Sequence, residues 1–207
     1  MAMAAGFEKV FEVGPVFRAE PSFTSRHATE FVGYDTELSY IHSHADVMAE
    51  EEKTIRYVIQ KVKDRYGDEI AKTYGREVVV PTVPFPKISM KETKEILAGM
   101  GVPGEKIGDI SPEEERKISE YIKDTYGHEF VFITEYPIDV RPFYHMRDEK
   151  NPLLTKSFDL LWNGLEVTTG AQREHRYDVL ISQAKEKGMS IEQLQFYLNF
   201  FRYGCPP

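Results

Sequence analysis

Two runs near the start carry β-branched and aromatic residues at close to a two-residue period. They are Val10-Phe-Glu-Val-Gly-Pro-Val-Phe17 and Phe31-Val-Gly-Tyr-Asp-Thr-Glu-Leu-Ser-Tyr-Ile41, and the pattern predicts two strands of a hairpin. A helical period follows. Val47, Ile55, Val58, Ile59 and Val62 fall on one face, and Ser43 with Asp46 has the spacing of a capping box. This helix is expected to end near Tyr66-Gly67, with a weaker continuation to Tyr74-Gly75. The same S-x-x-[E/Q] start signal recurs at Ser89 with Glu92, Ser111 with Glu114, and Ser190 with Gln193, with Pro112 in the first helical position of the middle one.

Further strands lie between these helices. Phe130-Val-Phe-Ile-Thr134 is short, β-branched and aromatic. Ser157-Phe-Asp-Leu-Leu-Trp162 leads through Asn163-Gly164, a hairpin-turn dipeptide, into Leu165-Glu-Val-Thr-Thr169. The stretch from about 76 to 128 is rich in proline, glycine and charge. It shows two modest helices and no strong strand, so it reads as an insertion between sheet strands. The predicted fold class is α+β: an antiparallel sheet built from hairpins, with helices packed on it.

Composition narrows the function classes. A chain of 207 residues holds one sizeable core, or one domain with a small insertion. Its net charge of −8 argues against a broadly basic nucleic-acid surface and leaves room for a local basic site. A single cysteine, Cys205, excludes an internal disulfide framework and suits a reducing cytoplasm. No apolar run approaches membrane-spanning length, and Met1-Ala-Met-Ala-Ala-Gly6 lacks the basic and apolar regions of a secretory signal. A soluble cytoplasmic protein is expected.

Candidate chemistry concentrates in two places. Between the first two strands, Phe17-Arg-Ala-Glu-Pro-Ser-Phe-Thr-Ser-Arg-His-Ala-Thr-Glu-Phe31 gathers Arg18, Arg26 and His27 with Glu20, Glu30 and an aromatic ring. Guanidinium groups bind phosphate or carboxylate oxygens bidentately, and a planar ring offers a stacking face, so a nucleotide is the obvious ligand. A solvated turn would carry similar residues; the length of this loop favours function.

The second place is Glu166-Val-Thr-Thr-Gly-Ala-Gln-Arg-Glu-His175. On a persistent strand Glu166 and Thr168 share one face and Thr169 takes the other. Gly170 and Ala171 are small enough for a ligand to approach the backbone. Arg173 supplies a fork suited to a carboxylate, and Glu166 with Thr169 offers hard oxygens to Mg2+. The plainer alternative makes Glu166 a solvated strand residue and Arg173 a helix cap. The six histidines are scattered, form no recognisable metal site and read as mostly surface residues or residues that back a site without touching its ligand. There is no P-loop, nucleophile elbow or convincing nucleophile–base pair.

The residues Phe17-Arg-Ala-Glu20, Arg26-His27 and Thr29-Glu-Phe31 resemble motif 2 of class II aminoacyl-tRNA synthetases, in the aspartate–asparagine–lysine subgroup. Gly170-Ala-Gln-Arg-Glu-His175, Arg141-Pro-Phe-Tyr144 and Tyr203-Gly-Cys-Pro-Pro207 look like the aspartyl enzymes of archaeal and eukaryotic type. The resemblance covers essentially the whole chain. It implies a class II catalytic core acting as an aspartate–tRNA ligase, with ATP, aspartate and tRNA(Asp) as substrates, Mg2+ as cofactor, and a homodimer at full length. An enzyme that also charges tRNA(Asn), an asparaginyl enzyme, and a non-catalytic synthetase-like binding module are the alternatives.

By resemblance, Arg18 holds the α-phosphate, Phe31 stacks on adenine and Glu20 contacts the adenine amino group or the tRNA end. Arg26 and His27 lie toward the outer phosphates. Glu166 and Thr169 carry Mg2+, Arg173 pairs with the side-chain carboxylate of aspartate, and Asp35 helps hold its amino group. Set against the family pattern, the anticodon-binding OB-fold, motif 1 and motif 3 with its ATP-clamping arginine are missing. The chain is therefore expected to be the middle of a catalytic domain, with little activity in isolation.

Overall fold

The computed structural model describes residues 1–19, 28–104 and 106–207. Strands β1 (Lys9–Phe17) and β2 (Glu30–Leu38) form the expected antiparallel hairpin, from Lys9 opposite Leu38 to Phe17 opposite Glu30. They make a two-stranded sheet of their own. A second sheet has the order β3 (Lys87–Ser89), β4 (Phe130–Thr134), β5 (Ser157–Trp162), β6 (Leu165–Ala171). Its β4–β5 and β5–β6 pairs are antiparallel, whereas β3 runs parallel to β4. The fold is α+β, with two sheets in place of one and a parallel edge strand.

Alternation along β4 and β5 explains the layers. Phe130, Phe132, Phe158 and Leu160 point to one side and pack with Phe85 and with Met48, Val47, Ile55 and Ile59 of α1 (His44–Tyr74). Val131, Ile133 and Leu161 point to the other. There they meet Ile88, Leu97 of α2 (Met90–Gly99) and Ile118 and Ile122 of α3 (Pro112–Tyr126). A third cluster joins α4 (Tyr177–Glu186) and α5 (Ile191–Leu198) to Phe143 through Leu180, Ala184 and Leu198.

The helix starts follow the sequence signals. Ser43, Ser89 and Ser111 form complete capping boxes with Asp46, Glu92 and Glu114, and the Ser190 side chain accepts from the Gln193 backbone N–H. Asn163 (φ 50°) and Gly164 (φ 81°) both take positive φ, as a two-residue hairpin turn of the primed type requires.

Several expectations give way. Helix α1 does not stop near Gly67 but runs unbroken through the expected continuation to Tyr74, where Gly75 in the left-handed conformation closes it. An internal glycine costs only about 1 kcal/mol, too little to end a cooperative helix. Its buried stripe is also rotated: Met48 is 4% exposed, whereas Val58 and Val62 are 51% and 37% exposed. The stretch from 76 to 128 is part of the core, because it supplies β3 and the buried side chains of α2 and α3. A three-residue strand is too short to show a period. Nor are all the histidines superficial: His128 is buried with its ring between the Phe130 and Thr82 carbonyls, and His145 is 7% exposed.

Gly170 has a structural reason. A Cβ there would lie 2.3 Å from Cζ of Phe158, whose ring is 1% exposed. The close approach thus belongs to Phe158, not to a ligand. Gly170→Ala is expected to destabilise the chain by about 1–3 kcal/mol through overpacking, read as a lower urea midpoint.

Candidate active site

One face of the hairpin carries the ligand-type residues. Phe31, Gly33, Asp35 and Glu37 share a side of β2, and across from them stand Val16, Gly14, Glu12 and Val10. Gly14 faces Gly33, so no side chain rises between Phe31 and Asp35. A Cβ on Gly33 would sit close to Val16 Cγ2 at 3.0 Å and Asp35 Oδ2 at 3.2 Å, so a side chain there would have to displace both by a few tenths of an ångström. Just beyond β1, the Arg18 guanidinium sits 5.0 Å from the centre of the Phe31 ring, and its backbone N–H donates to the Thr29 carbonyl at 2.9 Å. Arg18 and Asp35 are exposed and Phe31 is half-buried. Glu20, Arg26 and His27 lie outside the described residues.

The second constellation is rearranged by a β-bulge. Leu160 pairs with Thr168, but Leu161 pairs with Glu166, so Val167 is one residue extra on β6. Glu166 therefore lies on the side of Leu161, and Thr169, paired with Asp159, lies on that same side. Thr168 points the other way and donates its hydroxyl to Glu51 of α1. The expected pairing of Glu166 with Thr168 on one face is thus corrected, and a regular strand period could not have foreseen it. The correction brings the two candidate metal ligands together.

Beneath them lies a buried polar cluster. Arg141 donates to Asp159 Oδ2 at 2.6 Å and to Thr169 Oγ1 at 3.4 Å, and its guanidinium lies 3.6 Å from the centre of the Tyr136 ring. Asp159 is 5% exposed and its Oδ1 has no hydrogen-bond partner among the described residues. Burial and the Asp159 charge raise the Tyr136 phenol far above its ordinary range. Glu166 keeps contact with solvent, yet desolvation by the surrounding protein and the charges of Asp159 and Glu115 push its carboxyl up to about 7, against the pull of Arg141.

Arg173 joins the two constellations. It stands an even number of residues beyond Thr169, on the same side, and bridges to His145. Its Nη2 donates to Glu37 Oε1 at 2.9 Å, and its guanidinium lies 5.0 Å from the centre of the Tyr144 ring. Burial raises the nearby Tyr197 phenol, and the Arg173 charge opposes that rise. Both partners of the Arg173–Glu37 pair are nearly half exposed, so the second edge of the fork is open to a ligand. The Arg173–Glu37 pair thereby ties the β2 face that carries Phe31 and Asp35 to the chain just beyond Thr169 and Glu166. Arg141, Asp159, Glu37 and Tyr197 were not singled out from sequence as site residues. The available signal was Asp159, a charge inside an otherwise apolar strand.

The donor set suits Mg2+. Among the described residues no cluster of three acidic or histidine side chains forms a preformed metal cage. Mg2+ asks for less, binding through one or two carboxylates and completing its shell with water and substrate phosphates. Glu166 with Thr169, on one face and open to solvent, fits that requirement.

His145, beside this surface, carries a pH prediction. Burial, with Arg141 and Arg173 nearby, pushes its imidazole from the usual 6.5 down to about 4. As pH falls, the unfolded chain takes up this proton first, so the stabilisation is complete above 6.5 and is lost progressively toward 4. His145→Gln is expected to reduce the loss of stability between neutral pH and about pH 4.5 by on the order of 2 kcal/mol, measured by urea unfolding at both pH values.

Known proteins resemble this chain over its whole length. The family described as tRNA synthetases class II (D, K and N) matches residues 1–207. An aspartate–tRNA(Asp/Asn) ligase of Aeropyrum pernix is 44% identical over 208 residues, covering 100% of this chain and 47% of the relative. An aspartate–tRNA(Asp) ligase of Pyrococcus abyssi is 42% identical over 210 residues, again covering 100% of this chain and 47% of the relative. The solved aspartyl-tRNA synthetase of Entamoeba histolytica superposes with a TM-score of 0.92 at 36% identity, over 100% of this chain and 43% of that one. The asparaginyl-tRNA synthetase of Pyrococcus horikoshii in complex with asparaginyl-adenylate gives 0.88 at 32% identity, over 100% and 48%. The chain spans about half the length of the curated relatives it matches.

Proposed function

The chain belongs to the class II tRNA synthetases of the D, K and N group, and on that premise we propose that it forms much of the amino-acid and ATP site of an aspartate–tRNA ligase. The observation that carries the reading is Arg173: an open guanidinium edge, paired with Glu37 on the β2 face that carries Phe31 and standing just beyond Thr169 and Glu166.

The chemistry needs positioning and charge neutralisation, with no protein nucleophile. Arg18 binds the α-phosphate of ATP, and Phe31 offers its ring to adenine. Since Arg18 covers one face of that ring, its swing toward phosphate uncovers a stacking surface as it delivers charge. Glu20, Arg26 and His27 take the adenine edge and outer phosphates by resemblance to motif 2. Mg2+, held by Glu166 and Thr169, would neutralise phosphate charge as the aspartate carboxylate attacks phosphorus in line and pyrophosphate leaves. Asp35 holds the amino group of aspartate.

Arg173 pairs with the side-chain carboxylate, and an asparagine amide there would leave the cation short of a counter-charge. Tyr144 and Glu37 limit how far the guanidinium can turn. The aspartyl group then passes to tRNA(Asp). Charging of tRNA(Asn) as well is the second reading, because the Aeropyrum relative is described as acting on both. A homodimer is proposed for the full-length protein. Among the described residues no helix is long and apolar enough to cross a membrane.

Pyrophosphate exchange in a full-length context provides the test. Exchange is expected with aspartate and at least about 100-fold less with asparagine, since the buried charge partner is lost. Exchange supported equally by both amino acids, or by neither, contradicts the proposal.

A further inference from the structure

Glu51 is a carboxylate that the proposed reaction does not use, yet it points from α1 at the sheet. It lies on the helix face of Met48 and Ile55, which pack into the Phe132–Phe158–Leu160 cluster. Burial pushes its carboxyl up to about 7; the Thr168 hydroxyl bond pulls the other way and the charge of Glu52 adds to the rise. Burying an acid in this way is costly unless its hydrogen bond is worth keeping.

The value of that bond lies in the bulge. Glu166 and Thr169 are three residues apart, and on a regular strand that spacing sets them on opposite faces. They share a face only because Val167 is extra. Two constraints trap the extra residue there. The two-residue turn at Asn163-Gly164 fixes Trp162 opposite Leu165 on one side. On the other, Thr168 is fixed opposite Leu160 and bonded to Glu51. Release of the second constraint lets the irregularity move along β6. A regular register running on from the turn would put Val167 opposite Leu160 and Thr168 opposite Asp159, and turn Thr169 toward α1, away from Glu166.

We propose that Glu51 is a positioning residue for the Glu166–Thr169 pair, holding through Thr168 the bulged register that turns both toward the ligand face. This rests on the reading of Glu166 and Thr169 as Mg2+ ligands. Glu51 touches neither metal nor substrate; it acts through the Thr168 hydroxyl.

The test measures Mn2+, as the probe ion, bound in the presence of ATP by the full-length protein, read by electron paramagnetic resonance. Glu51→Ala and Thr168→Val are expected to weaken Mn2+ binding at least fivefold, with the melting temperature and the KM for aspartate little changed. Glu51→Gln and Thr168→Ser keep an acceptor and a hydroxyl, and are expected to stay within twofold of wild type. Should Glu51→Ala fail to fold, the nearly isosteric Thr168→Val asks the same question. Glu166→Gln is the control. If it loses Mn2+ while Glu51→Ala and Thr168→Val bind like wild type, the positioning role is overturned alone. Equal losses in the conservative and disruptive variants overturn it too. If Glu166→Gln binds as tightly as wild type, the metal assignment itself falls.

Discussion

Arg173→Leu in a full-length context is expected to lower kcat/KM for aspartate by about 100- to 10,000-fold, the scale seen when one partner of a desolvated charge pair is removed. The loss is specific. KM for ATP is expected to stay within a few-fold, because Arg173, held against Glu37 and Tyr144, is proposed to meet the amino acid and not the nucleotide. Stability changes little, since the Arg173–Glu37 pair is nearly half exposed and such pairs contribute about 1 kcal/mol or less. Arg173→Lys keeps the charge but not the fork, so it falls between wild type and leucine. Aspartate activation that survives Arg173→Leu unchanged would remove the basis for assigning aspartate as substrate.

Arg18→Ala has the next largest effect. Its guanidinium is exposed and rests on the Phe31 ring, so its removal leaves the core untouched. Loss of a preorganised cation at the reacting phosphate costs about 100- to 1,000-fold in kcat. Adenylate formation in single-turnover assays is the step to follow, since it separates chemistry from product release. A variant that forms adenylate at the wild-type rate contradicts the placement of Arg18 at the α-phosphate.

Much of this was legible in the sequence, for identifiable physical reasons. The hairpin strands β1 and β2, the Asn163-Gly164 turn and the serine caps follow from local rules: alternation, turn chemistry and orphan N–H groups near a helix start. Arg18, Phe31, Glu166 and Arg173 stood out because cations, a ring and a carboxylate lay in or next to strand ends.

What stayed hidden depends on contacts distant in sequence. The bulge at Val167 is visible only in the pairing of β6 with β5, and the packing reason for Gly170 only in the Phe158 ring. Strand β3 exists because β4 offers it an edge, at a length where three residues carry no period. The Arg141–Asp159–Tyr136 cluster joins the connection after β4 to the middle of β5. Helix α1 ignores Gly67 because one glycine is a small term in a helix of 31 residues.

In the proposed enzyme the hairpin and β6 form one surface that selects aspartate on ATP. Calorimetric titration of full-length protein with non-hydrolysable aspartyl- and asparaginyl-adenylate analogues tests it most directly. The aspartyl analogue is expected to bind at least about 100-fold more tightly, and Arg173→Leu to erase most of the difference. Equal affinity for the two analogues, or a preference that outlives Arg173→Leu, contradicts it.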